Sequence, residues 1–199
     1  MINKEIVIIG YSGHSYGCIE AAIKQGFSII GYYEILENII NPYNLKFLGH
    51  EDNIDSKNRP FIALGNNSVR RKNYEKLKSN NIFLDTTLIH SNTTISKSSL
   101  IEEQTFISAG VIINPQVQIG VGCIINTGAI IEHDCSINKF SHICPGAVLA
   151  GNVSIGSGCM IGANAVIKQG INIGDNVTIG AGAVVLKDIN SNTTFVGNP

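Results

Sequence analysis

The sequence predicts two domains, an α/β domain over residues 1–87 and an all-β parallel β-helix over residues 88–199. Two observations carry this prediction. Every sixth residue from Ile89 to Val185 is isoleucine, leucine or valine, without a break in phase. The first 87 residues lack that period and alternate short apolar runs with helical segments. A fixed short repeat is typical of a solenoid, and strand–helix alternation is typical of a small parallel sheet.

The first domain is expected to hold a parallel sheet with helical connections. The expected strands cover residues 5–9, 27–33, 61–64 and 82–84, and the expected helices cover residues 16–25 and 68–80. Gly26 marks the end of the first helix, and Ser68 is expected to cap the second. Glycine turns at residues 10–15 and 65–67 follow two of the strands. Because ligands of parallel sheets bind beyond the carboxyl ends of the strands, both turns should face one crevice.

Each six-residue repeat is predicted to form one flat side of a triangular coil. The residue two positions before each aliphatic is mostly small, and strand alternation then places both side chains on the inner face. Three sides make a coil of about 18 residues, and stacked coils bury what one repeat cannot. Gly, Asn and Asp fill the corners, where φ > 0 is often required. Residues 89–187 would supply a little over five coils.

The cysteines do not indicate a metal site. There is neither a CxxC pair nor a zinc-site spacing, so no metal is expected. Cys123, Cys135 and Cys159 fall in the small inward slot, which favours packing over chemistry. Cys144 lies off that phase and is expected to be more exposed; Cys18 is expected to be a buried free thiol.

Charge and hydropathy exclude several classes of partner. With 14 basic and 15 acidic side chains the formal net charge is −1, and no block of like charge suggests nucleic acid or an anionic membrane. Nucleotides stay compatible, because backbone amides hold phosphates without bulk charge. The apolar run Ile6–Ile9 is too short for a signal sequence or a membrane span. The sequence therefore predicts a cytoplasmic protein.

Several short motifs resemble those of the bacterial sialic-acid O-acetyltransferase and UDP-4-amino-sugar N-acetyltransferase family, over nearly the whole chain. They are Gly10-Tyr11-Ser12-Gly13-His14, Ile62-Ala63-Leu64-Gly65-Asn66-Asn67 followed by Arg70, Leu88-Ile89-His90, Ile130-Ile131-Glu132-His133-Asp134-Cys135, Phe140-Ser141-His142, Ala150-Gly151-Asn152-Val153 and Phe195-Val196-Gly197-Asn198-Pro199. The resemblance implies a Rossmann-like nucleotide-sugar-binding domain, a left-handed β-helix and a homotrimer. It also implies acetyl-CoA as donor and a nucleotide-linked amino sugar as acceptor, in surface glycan or glycoprotein biosynthesis.

The resemblance gives His133 the role of general base and Asp134 that of the acid that orients it. An amine or hydroxyl that attacks a thioester must lose a proton, and an imidazole is the commonest side chain that accepts one. Direct transfer then needs no acyl-enzyme. The residues by themselves leave two readings open, because both side chains also suit exposed corners and Glu132 is a competing orienting group.

Further ligand contacts follow from the same resemblance. The acceptor is expected to contact Ser12, Gly13, His14, Tyr33, Glu34, Gly65, Asn66 and Asn126. Acetyl-CoA is expected to contact His142 near its thioester, and Ala163, Gly180 and Ala181 along the coils. A packing role for Tyr33 and ordinary corner roles for the β-helix residues other than His142 stay open; a plain surface position is the alternative for His142. Because His133 and His142 lie half a coil apart, the site is expected between subunits.

Three functions remain open at this point. The first is N-acetylation of a nucleotide-linked amino sugar, with a UDP-4-amino-4,6-dideoxy sugar as the expected acceptor. The second is O-acetylation of a sialic acid or another sugar hydroxyl, for which a free acid substrate would not need the diphosphate turn. The third is a non-catalytic nucleotide-sugar-binding trimer.

Overall fold

The computed structural model describes residues 4–197 and has the predicted fold class, an α/β region followed by a three-sided parallel β-helix. The α/β region has a three-stranded parallel sheet with strand order β2-β1-β3. Its elements are β1 (Glu5–Ile9), α1 (Gly13–Lys24), β2 (Ser28–Tyr33), a 3-10 turn (Glu51–Asn53), β3 (Pro60–Ile62) and α2 (Asn67–Ser79). The division between domains at residues 87 and 88 stays a prediction.

The predicted cap of the second helix is wrong by two residues. Asn66 is the N-cap, and its side-chain oxygen accepts the backbone N–H groups of Ser68 and Val69. Ser68 therefore lies inside α2. An Asn side chain satisfies the orphan amides of a first helical turn as well as Ser does, so the two candidates cannot be separated by residue type.

The predicted fourth strand at residues 82–84 does not form within the part of the chain that the structure describes. Ile82 and Leu84 are buried and Phe83 is 65% exposed, so the alternation that suggested a strand is present without a ladder. The free edge of β3 is instead bonded by one side chain of the β-helix. The Gln104 amide accepts the Ile62 N–H at 3.0 Å and donates to the Pro60 carbonyl at 2.9 Å.

The β-helix consists of two-residue strands that form three parallel sheets, one on each face. They are called sheets B, C and D, and the sheet of the α/β region is sheet A. Sheet B contains β4 (Leu88–Ile89), β7 (Phe106–Ile107), β10 (Ile124–Ile125), β13 (His142–Ile143), β16 (Met160–Ile161), β19 (Thr178–Ile179) and β21 (Thr194–Phe195). Sheet C contains β5 (Thr94–Ile95), β8 (Ile112–Ile113), β11 (Ile130–Ile131), β14 (Val148–Leu149), β17 (Val166–Ile167) and β20 (Val184–Val185). Sheet D contains β6 (Leu100–Ile101), β9 (Gln118–Ile119), β12 (Ser136–Ile137), β15 (Ser154–Ile155) and β18 (Asn172–Ile173).

The inner side of the prism is the aliphatic ladder that the six-residue period predicts. The second residue of each strand points inward, and from Ile107 to Val185 these residues form one continuous buried cluster with the small residues of the inner slot. Cys123, Cys135 and Cys159 belong to that cluster. The expectation of a more exposed Cys144 is wrong, since it is only 5% exposed. The six-residue period placed Cys144 outside the inward ladder, but it gave no information about which residues cover the outer surface there.

The three outer faces differ in chemistry. On sheet B the outward side chains of Leu88, Phe106 and Ile124 pack against the α/β region in one buried cluster. Sheet D presents mostly polar side chains. Sheet C presents a column of aliphatic side chains, of which Ile112 and Val166 are 36% and 40% exposed. The outward residues of that column are Ile112, Ile130, Val148, Val166 and Val184.

The β-helix continues beyond the stretch that the six-residue period covers. The period fails there because the last described coil is shorter than the others. Thr194 pairs with Thr178 and Ile189 bridges to Ile173, each sixteen residues apart, whereas Ile124 pairs with His142 eighteen residues on. Phe195 and Ile189 still pack on the core. Asn198 and Pro199, which end the last sequence motif, lie outside the described residues.

Neither α1 nor α2, the two α-helices of residues 4–197, has the length and apolar content that a membrane crossing requires.

Replacing Gln104 with Asn should destabilise the protein by about 1–3 kcal/mol, because the shorter amide cannot reach both edge groups and leaves them buried without partners. Gln104 has φ 55, a conformation that Asn tolerates, so the substitution itself adds little backbone strain. The free energy of unfolding in urea measures the effect.

Gln116 provides a matched control, because it occupies an equivalent corner with φ 64 and is exposed. Gln116→Asn should leave the free energy of unfolding within about 0.5 kcal/mol of the original protein. Equal losses in the two variants would show that the edge contact of Gln104 contributes nothing.

Candidate active site

His133 and Asp134 form a hydrogen-bonded pair at the corner that follows strand β11. The His133 Nδ1 atom lies 2.8 Å from Asp134 Oδ2, and the two side chains are 52% and 56% exposed. Asp134 has φ 61, so it is a corner residue and a partner of the imidazole at once. Because the carboxylate accepts the proton on Nδ1, the Nε2 atom keeps an unshared lone pair. Asp134 and not Glu132 makes this contact.

Gly151 lies against the imidazole of His133, one coil further along the chain. A β-carbon on Gly151 would sit 2.7 Å from both Cε1 and Nε2 of that ring, which is far inside van der Waals contact. Gly151 has no positive φ, so the backbone does not require glycine here. The close approach of the ring does require it, and sequence reasoning gave this glycine no role beyond a motif.

His142 and Asn126 contact each other across adjacent coils on the outer side of sheet B. The Asn126 Nδ2 atom lies 3.1 Å from His142 Nε2, and Asn126 Oδ1 accepts the Thr127 backbone N–H at 2.8 Å. The backbone of Gly65 also lies near the His142 ring. The structure thus brings together three residues that the sequence assigned to two different ligands.

Arg70 lies at the centre of the contact between α2 and the β-helix. Its guanidinium donates to the carbonyl oxygens of Gly122, Leu64, Gly65 and Phe140 and to the side-chain oxygen of Asn67. It is 1% exposed, and burial lowers the pKa of Arg70 to about 10. Arg70 belongs to one of the sequence motifs, but the motif predicted no role for it.

His14 points toward the β-helix, away from the open side of the first turn. Its ring packs edge-on against Phe106 at 5.6 Å and lies 6.4 Å from the ring of His142. Burial, followed by the proximity of His142 and Arg70, lowers the pKa of His14 to about 4. Burial and the charge of Arg70 also lower the pKa of His142 to about 4. Both rings are therefore neutral near pH 7.

The first glycine turn leaves backbone donors at the start of α1. Ser12 is the N-cap, and its N–H is taken by the Ser15 hydroxyl at 2.9 Å. The N–H of Tyr11 is taken by the Glu34 carboxylate at 3.1 Å. Within residues 4–197 the amides of Gly13 and His14 have no protein acceptor, and a β-carbon on Gly13 would meet no atom within 4 Å. Such donors at a helix N-terminus suit an anionic group.

Tyr33 and Asn66 are held by the protein itself. Tyr33 is buried, and its hydroxyl donates to Asn58 Oδ1 at 3.0 Å. The Asn66 side chain is occupied in capping α2. The packing role that the sequence left open for Tyr33 is thus the one whose contacts the structure shows, and stacking on a base would require an exposed ring.

The residues expected to contact acetyl-CoA along the coils lie at corners between sheets B and C. Ala163 is half-buried, and Ala181, eighteen residues later, is exposed. Gly180 precedes it, and a β-carbon there would lie 2.8 Å from the Val196 side chain. These small residues form a line along adjacent coils, here called the corner track. His133 follows sheet C whereas His142 lies on sheet B, so a single chain holds the two on different sides of the prism.

Two family models match parts of this chain. The PglD N-terminal domain matches residues 5–77, which span the α/β region up to α2. The hexapeptide repeat of succinyl-transferase matches residues 143–187, which lie in the β-helix.

Solved structures match nearly the whole chain. The acetyltransferase domain of PglB from Neisseria gonorrhoeae FA1090, in complex with acetyl coenzyme A, is 30% identical with a TM-score of 0.92; the match covers 98% of this chain and 97% of that one. A variant of GDP-perosamine N-acetyl transferase from Caulobacter crescentus, in complex with CoA and GDP-perosamine, is 30% identical with a TM-score of 0.89, covering 97% and 93%. WeeI from Acinetobacter baumannii AYE, at 23% identity and a TM-score of 0.86, shares the fold.

The buried neutral histidines predict that acid destabilises the protein. In the unfolded chain His14 and His142 bind protons near pH 6.5, whereas in the folded chain they do so only near pH 4. The unfolded state therefore binds more protons in this window, and stability should fall from pH 6.5 toward pH 4 by up to about 1.4 kcal/mol per pH unit for each histidine. Urea unfolding at a fixed protein concentration measures the slope.

His14→Asn should reduce this slope, because one of the two proton-linked groups is gone. An unchanged slope in the His14 variant would contradict the burial argument.

Proposed function

This chain belongs to the family of hexapeptide-repeat acetyltransferases that carry a PglD-type N-terminal domain and act on nucleotide-linked amino sugars, and we propose that it transfers the acetyl group of acetyl-CoA to the amino group of such a sugar. The acceptor we propose is a UDP-linked 4-amino-4,6-dideoxy sugar, used in the biosynthesis of surface glycans or glycoproteins. The relatives solved with acetyl coenzyme A, or with CoA and GDP-perosamine, support both ligand classes.

The observation that carries the proposal is the geometry of His133. Asp134 holds Nδ1, which leaves Nε2 as the proton acceptor. The amine nitrogen attacks the thioester carbonyl carbon, the amine proton passes to Nε2, and the carbon–sulfur bond breaks. The sulfur of CoA leaves with the electron pair of that bond and takes up a proton, so the imidazole returns to its neutral form. The reaction needs no covalent enzyme intermediate.

The acceptor is proposed to bind across the two glycine turns. The free amides of Gly13 and His14 would hold the diphosphate at the start of α1, with Ser12, Gly65, Asn66 and Glu34 along the same edge of the sheet. Asn126 would lie near the sugar. Acetyl-CoA would run along the corner track of Ala163, Gly180 and Ala181, with its thioester near His142.

The active form is proposed to be a homotrimer. The aliphatic column on the outer side of sheet C would pack on a neighbouring copy, since an exposed apolar stripe of this length marks an interaction site. Sheet D is polar, and the α/β region covers part of sheet B. Packing through sheet C would bring His133, at the edge of that sheet, toward the His142 side of a neighbouring copy. Each site would then draw on two chains.

Incubation with acetyl-CoA and a panel of amino sugars tests the reaction, with release of the CoA thiol as the readout. The panel contains UDP-, GDP- and dTDP-linked 4-amino sugars and a free sialic acid. Thiol release only with amino sugars would support N-acetylation. Release only with the sialic acid would favour the O-acetyltransferase, and binding of a nucleotide sugar without release would favour the non-catalytic trimer.

His133→Ala should lower kcat by about 10²–10⁴-fold while the protein stays folded and trimeric, because the transition state loses its proton acceptor. Steady-state kinetics with the best acceptor of the panel, together with light scattering, measure both quantities. Turnover at the original rate would rule out His133 as the base.

Gly151→Ala tests the role of the His133 imidazole independently, because the added methyl group would displace the ring without removing it. We expect a loss of kcat of about tenfold to a hundredfold, the size of effect that a misplacement of about 1 Å can cause. In a His133→Ala background the same substitution should cost nothing further. An equal loss in both backgrounds would mean that Gly151 acts on something other than the histidine.

Val166→Glu should abolish both trimer formation and activity, because it buries a carboxylate in the proposed apolar contact. Light scattering and thiol release are the measurements. Asn172→Glu in the same coil is the control, since Asn172 faces outward on polar sheet D and should stay trimeric and active. Dissociation of the control, or an active trimer of Val166→Glu, would contradict the proposed interface.

A further inference from the structure

Arg70 is a buried cation that is not paired with an anion. It is 1% exposed, and no salt bridge among residues 4–197 includes it. Buried charges are normally paired, and an apolar side chain of similar volume often stabilises a fold at least as well. A purely stabilising role therefore explains its presence poorly. Its carbonyl partners lie on both sides of the contact between α2 and the β-helix.

The hydrogen bonds of Asn126 define the state of His142. Because Asn126 Oδ1 accepts the Thr127 N–H, the amide nitrogen must be the atom that faces His142 Nε2 at 3.1 Å. An amide nitrogen only donates, so Nε2 must be an unprotonated acceptor. The proton of the ring is then on Nδ1, and the backbone of Gly65 is the further polar group close to this ring. Protonation of Nε2 would set two donors against each other.

The Gly65 carbonyl is itself held by Arg70. Nη1 donates to Gly65 at 3.2 Å and to the preceding carbonyl of Leu64 at 2.9 Å, while Nε donates to Gly122 of the β-helix at 2.7 Å. The planar guanidinium fork thus fixes the last turn before α2 relative to the coil that carries Asn126. Hydrogen bonds thus join Arg70 to Gly65 at one end of this group of contacts and His142 to Asn126 at the other.

We propose that Arg70 is a positioning residue: by holding the Gly65 carbonyl for the Nδ1–H of His142, it maintains the neutral Nδ1–H tautomer of His142 and orients the Asn126 amide toward the acceptor. One N–H of that amide is used by His142, and the second is left for a ligand. The catalytic part of this inference rests on the proposed function, whereas the assignment of the tautomer does not.

The surroundings of His142 favour the same state. The charged and titratable groups that face it are His14 on α1 and Arg70 on α2. Neither is an acid that would stabilise an imidazolium, and the lowered pKa values of both histidines agree with this environment. His142 is therefore a hydrogen-bonding group of fixed polarity and does not take part in proton transfer.

The tautomer can be tested in the full-length, unmodified protein by nitrogen-15 NMR of the histidine side chains, with His142 assigned from its missing signals in His142→Gln. We expect a protonated Nδ1 and an unprotonated Nε2 that do not change between about pH 8 and about pH 5, a range in which a free histidine titrates. An Nε2–H tautomer, or titration of His142 within that range, would overturn the proposal.

Arg70→Lys tests the positioning role, because Lys keeps the charge but lacks the planar fork. We expect His142 to lose its single tautomer and kcat to fall by about tenfold to a hundredfold, with the KM for acetyl-CoA nearly unchanged. Lys72→Met, on the exposed face of the same helix, should change neither quantity. A variant with the original kcat and tautomer would overturn the role of Arg70.

Asn126→Asp tests the same group of contacts from its other end, and it keeps the proposal testable if Arg70→Lys does not fold. A carboxylate accepts where the amide donated, so His142 should become protonated on Nε2. An unchanged, unprotonated Nε2 in this variant would contradict the assignment. If the original protein transfers no acetyl group to any acceptor, the proposed function fails, while the NMR results still decide the tautomer.

Discussion

The register of the β-helix is the constraint on which every proposed contact of the site depends. Each inward aliphatic side chain lies directly above another eighteen residues away, as in the pairing of Ile125 with Ile143. The same register places Gly151 over His133 and brings Asn126 to His142 in the next coil. Because the ladder is continuous and buried, the corners that carry these residues cannot shift independently. The buried ladder therefore fixes the positions of the short corner turns on the surface.

The second constraint is the polar contact between the α/β region and the prism. Gln104 completes the edge of β3, and Arg70 bridges the turn before α2 to two coils. Directional hydrogen bonds fix an orientation in a way that apolar packing alone does not. The orientation matters because the proposed acceptor would be bound by the first region and acetylated on the second. A small rotation between the two would separate the sugar from the base.

The sequence predicts most of the prism, because its information is local and periodic. One residue in six determines the ladder, and the interior leaves no alternative phase. The predictions fail where the structure of a segment depends on a contact with residues far away in the chain. Residues 82–84 have the alternation of a strand, but Gln104 already occupies the edge they would pair with. Cys144 is buried although the period places it outside the ladder. Arg70 looks like one more cation on an amphipathic helix until the coils it contacts are known.

The candidate site was predictable only in part for the same reason. Motifs indicated His133, Asp134 and His142 as residues of interest, and the first pair is in contact. What the motifs could not give is the order of contacts from Arg70 to Asn126, because it joins three separate segments of the chain. Tyr33 illustrates the converse, since its place after a strand suggested a ligand contact while its hydroxyl is satisfied by Asn58.

The shortened final coil shows how such a protein can change length in evolution. In the inner coils a duplication or loss of eighteen residues would add or remove one complete layer and leave every later side chain on its original side. A change of any other size would turn the remainder of the prism and move its outer columns to the wrong faces. Between Thr178 and Thr194 the spacing is two residues shorter than that unit, and the strands still pair because the missing residues lie in the corners and not in the strands. Insertions and deletions within the inner coils should therefore come in units of eighteen residues.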